Sequence, residues 1–365
     1  MRHVVVAGAG VFGVWTAHHL QAAGYRVTLV DPYGPASSRS SSGDETRIVR
    51  CGYGSDEIYT NLAARSLQLW REFARRHDTA APLFHGCGVR WLAGADDPYT
   101  RATRETLERL GRPIRVVDGA LLETDAGVVM ARRSVQTLAG ELASRGVPCV
   151  RARVVEPLEA TPRLHQLRFA DGERIAADLF VFACGAWLPF VLPSVMTGII
   201  RPTRQVVAFF GTPPGDERFG ASRMAAWIDF PGGIYGIPDV EGRGVKVGID
   251  RHGPPFDPDT GERIADDESI ALMRAWLARR LPGLAEAPVV ESRVCQYENT
   301  STGDFVIDRH PADDNVLIAG GGSGHGFKHG PAVGEYAARL LTTGEPTDAR
   351  FSLAAKTRVS SRAVY

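Results

Sequence analysis

The first thirty-one residues contain a β-α-β pattern with a glycine-rich turn after its first strand. The apolar run Val4–Ala7 predicts a strand buried on both faces, and a second such run ends at Asp31. Between them, the turn Gly8-Ala9-Gly10-Val11-Phe12-Gly13 opens a helix. Asp31, eighteen residues after Gly13, is placed to accept hydrogen bonds from an adenosine ribose. This order of elements predicts a Rossmann-like domain that binds a dinucleotide.

Each glycine of the turn has its own structural reason. Gly8 permits the tight turn, Gly10 lets a pyrophosphate approach the backbone, and Gly13 allows close packing of helix on strand. The phosphates would then lie at the helix N-terminus, beside Val11 and Phe12, where N–H groups and the helix dipole favour anions. A glycine-rich turn without any ligand is the alternative interpretation.

Charge and cysteine content argue against several classes of protein. The 365 residues include 42 basic and 42 acidic side chains, which gives no reason to expect nucleic acid or an anionic membrane as a partner. Five scattered cysteines without a CxxC pair predict neither a disulfide framework nor a metal site, and they favour the cytoplasm. No apolar run reaches the roughly 18 residues of a membrane span.

Two later segments favour FAD over NAD as the dinucleotide. Asp178–Gly185 reads as a strand that ends in a turn of small residues, which flavoproteins often place near the cofactor. Asn315–Gly326 supplies a second glycine-rich crossing, suited to close backbone contact with a large flat ligand. The first fingerprint alone does not distinguish the two cofactors, but a dehydrogenase that uses free NAD would rarely need the second crossing.

The predicted fold class is α/β (α+β), because helical and strand patterns alternate early and strand patterns dominate after Cys149. We expect a Rossmann-like FAD-binding domain with an inserted antiparallel-sheet substrate domain. The nucleotide-binding part needs segments from the beginning, middle and end of the chain, so the prediction makes it discontinuous. It assigns 1–84, 131–195 and 286–365 to the FAD-binding domain, and 85–130 and 196–285 to the substrate domain.

Lysine is scarce in this chain. Among the 42 basic residues only Lys246, Lys328 and Lys356 are lysines. Arginine offers a planar fork with fixed charge, whereas lysine is a compact charge whose pKa can change. Lys246 and Lys328 lie in glycine-rich segments, which indicates a function there, and Lys356 is expected at the surface.

Several segments resemble amine oxidases of the D-amino-acid-oxidase superfamily, in particular the group of monomeric sarcosine oxidase, N-methyltryptophan oxidase and pipecolate oxidase. The resemblance implies FAD-dependent oxidation of a carboxylate-bearing secondary amine or cyclic imino acid to an imine. It also implies O2 as the electron acceptor, hydrogen peroxide as a product and a monomeric protein. The segments that carry it are Gly43–Arg50, Arg204–Val207, Gly244–Gly248, Val294–Tyr297, Phe305–Pro311 and Ser323–Lys328.

The resemblance assigns roles to five residues. Cys295 matches the cysteine that carries FAD through a thioether to the 8α-methyl group. Lys246 matches the lysine that activates oxygen near flavin N5, and Arg47 matches an arginine packed on the same side of the ring. Arg50 and Lys328 resemble the pair that binds the substrate carboxylate, one by a bidentate fork and one as a point charge.

Other residues follow from the same resemblance. Tyr235 and Tyr297 are expected as aromatic walls of the substrate pocket, with an ordinary core position as the alternative for each. His325 is grouped with the catalytic residues at the flavin edge, and a purely structural histidine is its alternative. The remaining expected cofactor contacts are Thr46, Val154, Gly185, Gly322, Gly324 and Gly326, and Lys328 is expected to contact the cofactor as well.

One position departs from the sarcosine oxidase pattern. Those enzymes have a histidine four residues after the active-site lysine, where this chain has Asp250. Positions four apart on a strand share a face, so Asp250 should face the same pocket as Lys246 and could pair with a protonated amine. An aspartate there also occurs in the branch that oxidises cyclic imino acids, which puts sarcosine itself in doubt. Asp250 could instead be a solvated residue at the strand end.

Three alternatives to this function stay open. The first is demethylation of sarcosine or another N-methyl amino acid by the same chemistry. The second is a flavin dehydrogenase that passes electrons to another acceptor, which the presence of Lys246 disfavours. The third is a nucleotide-binding protein without catalysis.

Overall fold

The glycine-rich turn lies at the end of a central strand in the computed structural model, which describes residues 1–77, 81–94, 96–156 and 163–356. The helices within these ranges are α1 (Val11–Ala22), α2 (Glu57–His77), α3 (Pro98–Arg109), α4 (Ala131–Ser144), α5 (Leu188–Val191), α6 (Pro193–Met196), α7 (Asp267–Arg280) and α8 (Gly330–Thr343). The strands are β1 (His3–Ala7), β2 (Arg26–Val30), β3 (Thr46–Val49), β4 (Phe84–His85), β5 (Val89–Trp91), β6 (Ile114–Val117), β7 (Ala120–Glu123), β8 (Gly127–Met130), β9 (Cys149–Val150), β10 (Gln166–Arg168), β11 (Arg174–Ala176), β12 (Leu179–Phe182), β13 (Arg201–Phe210), β14 (Ala226–Asp229), β15 (Ile234–Ile237), β16 (Val245–Ile249), β17 (Val289–Asn299), β18 (Val306–Arg309) and β19 (Val316–Gly320).

A six-stranded sheet forms the nucleotide-binding side of the molecule. Its strand order is β18-β19-β12-β1-β2-β9, and every pairing is parallel except that of β18 with β19. Alternate side chains of β1 enter two separate cores, which explains why the whole strand is apolar. Val4 and Val6 pack in a core with residues of α1, α2, α4 and α8, whereas Val5 and Ala7 face a second core on the other side.

An eight-stranded sheet forms the other large layer, in the order β17-β13-β16-β15-β14-β5-β7-β6. Its pairings are antiparallel except that of β14 with β5. Helix α7 covers one face, where Trp276 stacks on Trp227 with ring centroids 3.9 Å apart. The predicted fold class is confirmed. The domain division by residue number stays a prediction, and β17, which it grouped with the cofactor-binding part, pairs with β13 in the eight-stranded sheet.

The two sheets bring distant segments to one place. The carboxyl ends of β1, β12 and β19 are neighbours in the six-stranded sheet, so the turns that follow them lie together. These turns contain the glycine fingerprint, Ala183–Gly185 and Gly321–Gly326. Strands β16 and β17 of the other sheet supply Lys246 and Cys295.

One expectation from the sequence is wrong. Lys356 is 6% exposed rather than at the surface, and its Nζ donates to the backbone oxygen of Arg350 at 2.6 Å. Lys356 is therefore buried against the residues that precede it in the chain. Among the described residues no helix is both long and apolar enough to cross a membrane.

The packing of α1 on β1 makes a test possible at Gly13. A Cβ atom at Gly13 would lie 1.9 Å from the backbone oxygen of Gly8, so the turn would have to move. We expect Gly13→Ala to lose bound flavin and to lower the free energy of unfolding by ~1–3 kcal/mol. Denaturant unfolding and flavin absorbance measure the two effects.

Gly140 provides the matched control. It lies in α4, and a Cβ atom there would meet nothing within 4 Å. Gly140→Ala should therefore retain flavin and raise the free energy of unfolding by ~0.5–1 kcal/mol. A Gly13→Ala protein that keeps flavin and full stability would contradict the packing described here.

Candidate functional site

Two connected cavities lie between the sheets. The larger has a volume of about 590 Å³ and the smaller about 110 Å³. They share Arg47, Cys295, Tyr297 and Gly324 in their walls, so a single elongated ligand could extend through both. Of the residues predicted from the sequence, the larger cavity is lined by Arg47, Arg50, Tyr235, Asp250, Cys295, Tyr297, Gly324, His325 and Lys328. The smaller is lined by Gly8, Gly10, Val11, Phe12, Asp31, Arg47, Gly185, Cys295, Tyr297, Gly322, Gly324 and Gly326.

The glycine turn forms one end of the smaller cavity. Gly8 has φ +103°, and a Cβ atom there would lie 2.2 Å from the backbone oxygen of Ala183. Helix α1 begins at this wall without a side-chain cap, and the N–H of Val11 donates to Ser42 Oγ at 3.0 Å. The residue before the helix, Gly10, has no side chain to cap the helix or to keep a ligand away from the backbone. Such a helix N-terminus is suited to a phosphate group.

Asp31 holds the loop around this end. Its Oδ2 accepts the N–H of Ala9 at 2.8 Å, and its Oδ1 accepts the N–H groups of Tyr33 and Gly34 at 2.8 and 2.7 Å. The carboxylate also lines the smaller cavity. Its contact with an adenosine ribose remains a prediction.

Glu298, which lies in the wall of the smaller cavity, was not predicted as a site residue from the sequence. Its Oε2 is shielded from solvent and has no hydrogen-bond partner among the residues that the structure describes. Burial raises the pKa of Glu298 to about 7, and the Gly322 N–H opposes that rise. A buried carboxyl with an unused oxygen fits a ligand that carries hydroxyl or phosphate groups. The uncapped helix, the tight glycine turn and this carboxyl together fit a dinucleotide such as FAD.

Four of the predicted site residues line neither cavity, namely Gly13, Thr46, Val154 and Lys246. Gly13 lies beneath the turn. Val154 packs in the second core of the six-stranded sheet. Thr46 faces the site through its backbone oxygen, which accepts hydrogen bonds from Lys246 and Arg47. Lys246 itself is 1% exposed and lies behind the cavity wall.

Arg50 and Lys328 are two cations buried side by side in the larger cavity, and each is 7% exposed. The Arg50 guanidinium lies 4.9 Å from the ring centroids of Tyr53 and Trp91 and 5.3 Å from that of Phe230. Lys328 Nζ lies 5.1 Å from the Tyr53 ring, and burial together with Arg50 holds the pKa of Lys328 well below its usual range. Neither cation forms an ion pair within the described part of the chain. An anion entering the cavity would therefore relieve an unfavourable concentration of charge.

Asp250 and Tyr297 form a polar pair on the same cavity. The Tyr297 hydroxyl donates to Asp250 Oδ1 at 2.7 Å. Burial raises the pKa of Asp250, while this hydrogen bond and the attraction of Arg50 and Lys328 oppose the rise. Asp250 is therefore a cavity residue and not a solvated strand end.

Lys246 belongs to a second charged cluster. Its Nζ donates to Asp44 Oδ2 and, at 3.0 Å, to the backbone oxygen of Thr46. Burial lowers the pKa of Lys246 to about 8, although Asp44 opposes the change. Arg47 donates to the same Asp44 oxygen at 2.6 Å. Asp44 lies in a segment that carries the family resemblance, yet its role depends on contacts that the sequence does not show.

Cys295 lies where the two cavities meet. Its Sγ is 3.9 Å from an Arg47 nitrogen, and β17 presents it to both cavities.

His325 has both ring nitrogens engaged. Its Nε2 lies 2.9 Å from the backbone oxygen of Gly303, and its Nδ1 lies 3.0 Å from the Tyr53 hydroxyl. That hydroxyl also lies 2.7 Å from His329 Nε2. If Nε2 of a neutral His325 donates to Gly303, Tyr53 must donate to Nδ1 and accept from His329. Proton transfer by His325 would therefore require one of these bonds to break.

The hydrogen bonds of Tyr53 predict a stability effect. In Tyr53→Phe the buried His329 would lose its partner at Nε2, and we expect the free energy of unfolding to fall by ~1–3 kcal/mol. The exposed Tyr336 hydroxyl, which accepts from the Asp348 N–H, is the control. Tyr336→Phe should have a smaller effect in the same denaturant titration. Equal effects of the two variants would argue against a buried network at Tyr53.

Within the described residues no group of three or more His, Cys, Asp or Glu side chains could hold a metal ion.

Comparisons with known proteins give a consistent result. Residues 3–340 match the DAO family, described as FAD dependent oxidoreductase. The chain is 31% identical to a monomeric sarcosine oxidase of Bacillus sp. (strain B-0618), with 94% of this chain and 92% of that protein covered. It is 27% identical to an N-methyl-L-tryptophan oxidase of Citrobacter koseri, with 92% and 93% covered.

The fold is also found among solved structures. An L-proline dehydrogenase from P. horikoshii matches with a TM-score of 0.82 at 20% identity, covering 96% of each chain. Together with the family match, this confirms the predicted resemblance, the fold and FAD as the cofactor.

Proposed function

Because the chain belongs to the FAD dependent oxidoreductase family, we propose that it oxidises a carboxylate-bearing secondary amine or cyclic imino acid to an imine. The observation that carries this proposal is the pair of buried cations, Arg50 and Lys328, in the larger cavity. A substrate carboxylate would neutralise them, by a bidentate fork at Arg50 and a point charge at Lys328.

The amine end of the substrate has its own partner. Asp250 faces the same cavity as the two cations and is hydrogen-bonded by Tyr297. A carboxylate there would attract a protonated amine or accept a hydrogen bond from a neutral one. With the carboxylate held at one side and the amine at the other, the substrate has a defined orientation.

The reaction balances as R2CH–NHR′ plus O2 giving R2C=NR′ plus hydrogen peroxide, and water can then hydrolyse the imine. When bound, FAD supplies the two-electron acceptor for the C–H bond beside nitrogen and passes those electrons to O2. The protein binds and orients the amine, and Tyr235 and Tyr297 restrict water at the cavity wall. Lys246 and Arg47 supply positive charge where oxygen gains electrons.

Demethylation of sarcosine or another N-methyl amino acid is a second candidate. The names of the two relatives, a sarcosine oxidase and an N-methyl-L-tryptophan oxidase, favour it. The protein is further proposed to act as a cytoplasmic monomer.

A substrate panel tests this function. Hydrogen peroxide release is measured with sarcosine, L-proline, L-pipecolate and longer N-methyl amino acids. We expect at least one of them to be a substrate and Arg50→Met or Lys328→Met to raise its KM by about 10- to 100-fold, the value of a charged hydrogen bond. Arg65→Met, which removes an exposed arginine of α2, is the control. Failure of every carboxylate-bearing amine would refute the assignment of Arg50 and Lys328.

We also propose that Cys295 carries FAD through a thioether. The cysteine lines both cavities beside Arg47, as attachment to the edge of the ring requires. Acid-precipitated wild-type protein should stay yellow, whereas Cys295→Ser should release its flavin into the supernatant. Cys87→Ser removes a cysteine that lines neither cavity and should stay yellow. Loss of colour from the wild type would refute the covalent bond.

A further inference from the structure

The charged cluster around Asp44 differs from the cation pair because its charges are already paired. We propose that Asp44 is a positioning residue that keeps Lys246 charged and fixes its ammonium group behind the cavity wall. The proposal rests on the oxygen-activating role given to Lys246 above. The new element is that this role depends on the carboxylate of Asp44, to which the family resemblance gives no role.

Asp44 is the shared partner of three cations. Lys246 and Arg47 both donate to its Oδ2, and Arg293 lies 3.7 Å from its Oδ1. The N–H of Glu45 also donates to Oδ1 at 2.7 Å. Asp44 is 5% exposed, so these contacts replace water.

The ammonium group of Lys246 has few other ways to be stabilised. Besides Asp44, its Nζ reaches the backbone oxygen of Thr46 at 3.0 Å and lies 5.8 Å from the Phe209 ring on β13. Arg47 disfavours the charged lysine, and the Cys295 thiol on β17 adds a weaker attraction when ionised. Burial lowers the pKa of Lys246 to about 8 even with Asp44 present.

Removal of the Asp44 charge would therefore neutralise Lys246 at neutral pH. An opposite charge at this distance raises the pKa of a lysine by about 1–3. In wild type the lysine is charged below about pH 8 and loses its charge as pH rises through that value. Without Asp44 the same loss would occur at lower pH, with Arg47 left as the charge at the wall.

Asp44 and Lys246 also differ in their access to the ligand. Asp44, Arg47 and Cys295 line the larger cavity, whereas Lys246 does not. Asp44 thus contacts both the ammonium group of Lys246 and the cavity. Its carboxylate sets the direction in which Lys246 donates and the net charge at this wall.

The test uses flavin-loaded Asp44→Asn, which keeps the shape of the side chain, and Lys246→Met. The flavin is reduced anaerobically by the amine substrate, and its reoxidation by O2 is followed from pH 6 to 9. In wild type we expect the rate constant to fall as pH rises through about 8. In Asp44→Asn the fall should occur at lower pH and the rate at pH 7.5 should drop about tenfold, with the rate of reduction by substrate changed less.

Thermal unfolding of the same flavin-loaded proteins provides a readout that is independent of turnover. Each single variant should lower the melting temperature, and the double variant should melt no lower than the worse single variant, since the two residues act as one pair. Asp216→Asn, which removes the carboxylate of an exposed ion pair with Arg218, is the control and should change neither measurement.

The outcomes separate this proposal from the one on which it rests. If Lys246→Met slows reoxidation but Asp44→Asn keeps the wild-type rate and pH profile, the role of Asp44 is refuted and the oxygen site stands. If Lys246→Met reoxidises like wild type, the oxygen role of Lys246 is refuted and the role of Asp44 falls with it.

Discussion

Burial of two positive charges side by side is unfavourable, and Arg50 and Lys328 are buried together without an ion pair in the part of the chain that the structure describes. Their surroundings moderate the cost. The rings of Tyr53, Trp91 and Phe230 surround the guanidinium, and Tyr53 also lies beneath the ammonium group. Cation–π contacts attract a cation but leave its charge in place. The cavity is thereby left attractive to an anion.

In the second charged cluster, the buried cations have a carboxylate counterion. Asp44 pairs directly with Lys246 and Arg47, so that part of the cavity carries charge with its counterion already present. A site that binds an anionic substrate needs unpaired cations, whereas a site that stabilises a transient negative charge needs cations held in fixed positions. The different pairing of the two clusters fits the two roles proposed for them.

Local features of the sequence predicted the parts of the molecule that depend on local structure. The turn from Gly8 to Gly13 follows a strand and opens a helix, so its conformation is determined within a few residues, and the structure has it as expected. The positions of strand β17 and of the segment that ends at Lys356 were harder to predict. Strand β17 pairs with β13, and Arg350 and Leu353 bond to Asp304 and Asp308, so both depend on residues far away in the chain.

The residues that the sequence missed are those whose roles come from long-range contacts. Asp44 meets Lys246 across 202 positions, and the hydroxyl of Tyr53 meets His325 across 272. Glu298 was missed because nothing near it in sequence predicts that its Oε2 would be buried without a partner. The family resemblance supplied Arg50, Lys328 and Cys295 as candidates, and the fold brings all three to one cavity.

The claim that Arg50 and Lys328 form an anion site can be tested without turnover. The flavin-loaded protein is titrated with a simple carboxylate that lacks an amine, and with the corresponding neutral amide, while the flavin absorbance is followed. We expect saturable binding of the carboxylate alone, weakened about 10- to 100-fold by Arg50→Met or Lys328→Met. Equal binding of the amide, or carboxylate binding that survives both substitutions, would contradict it.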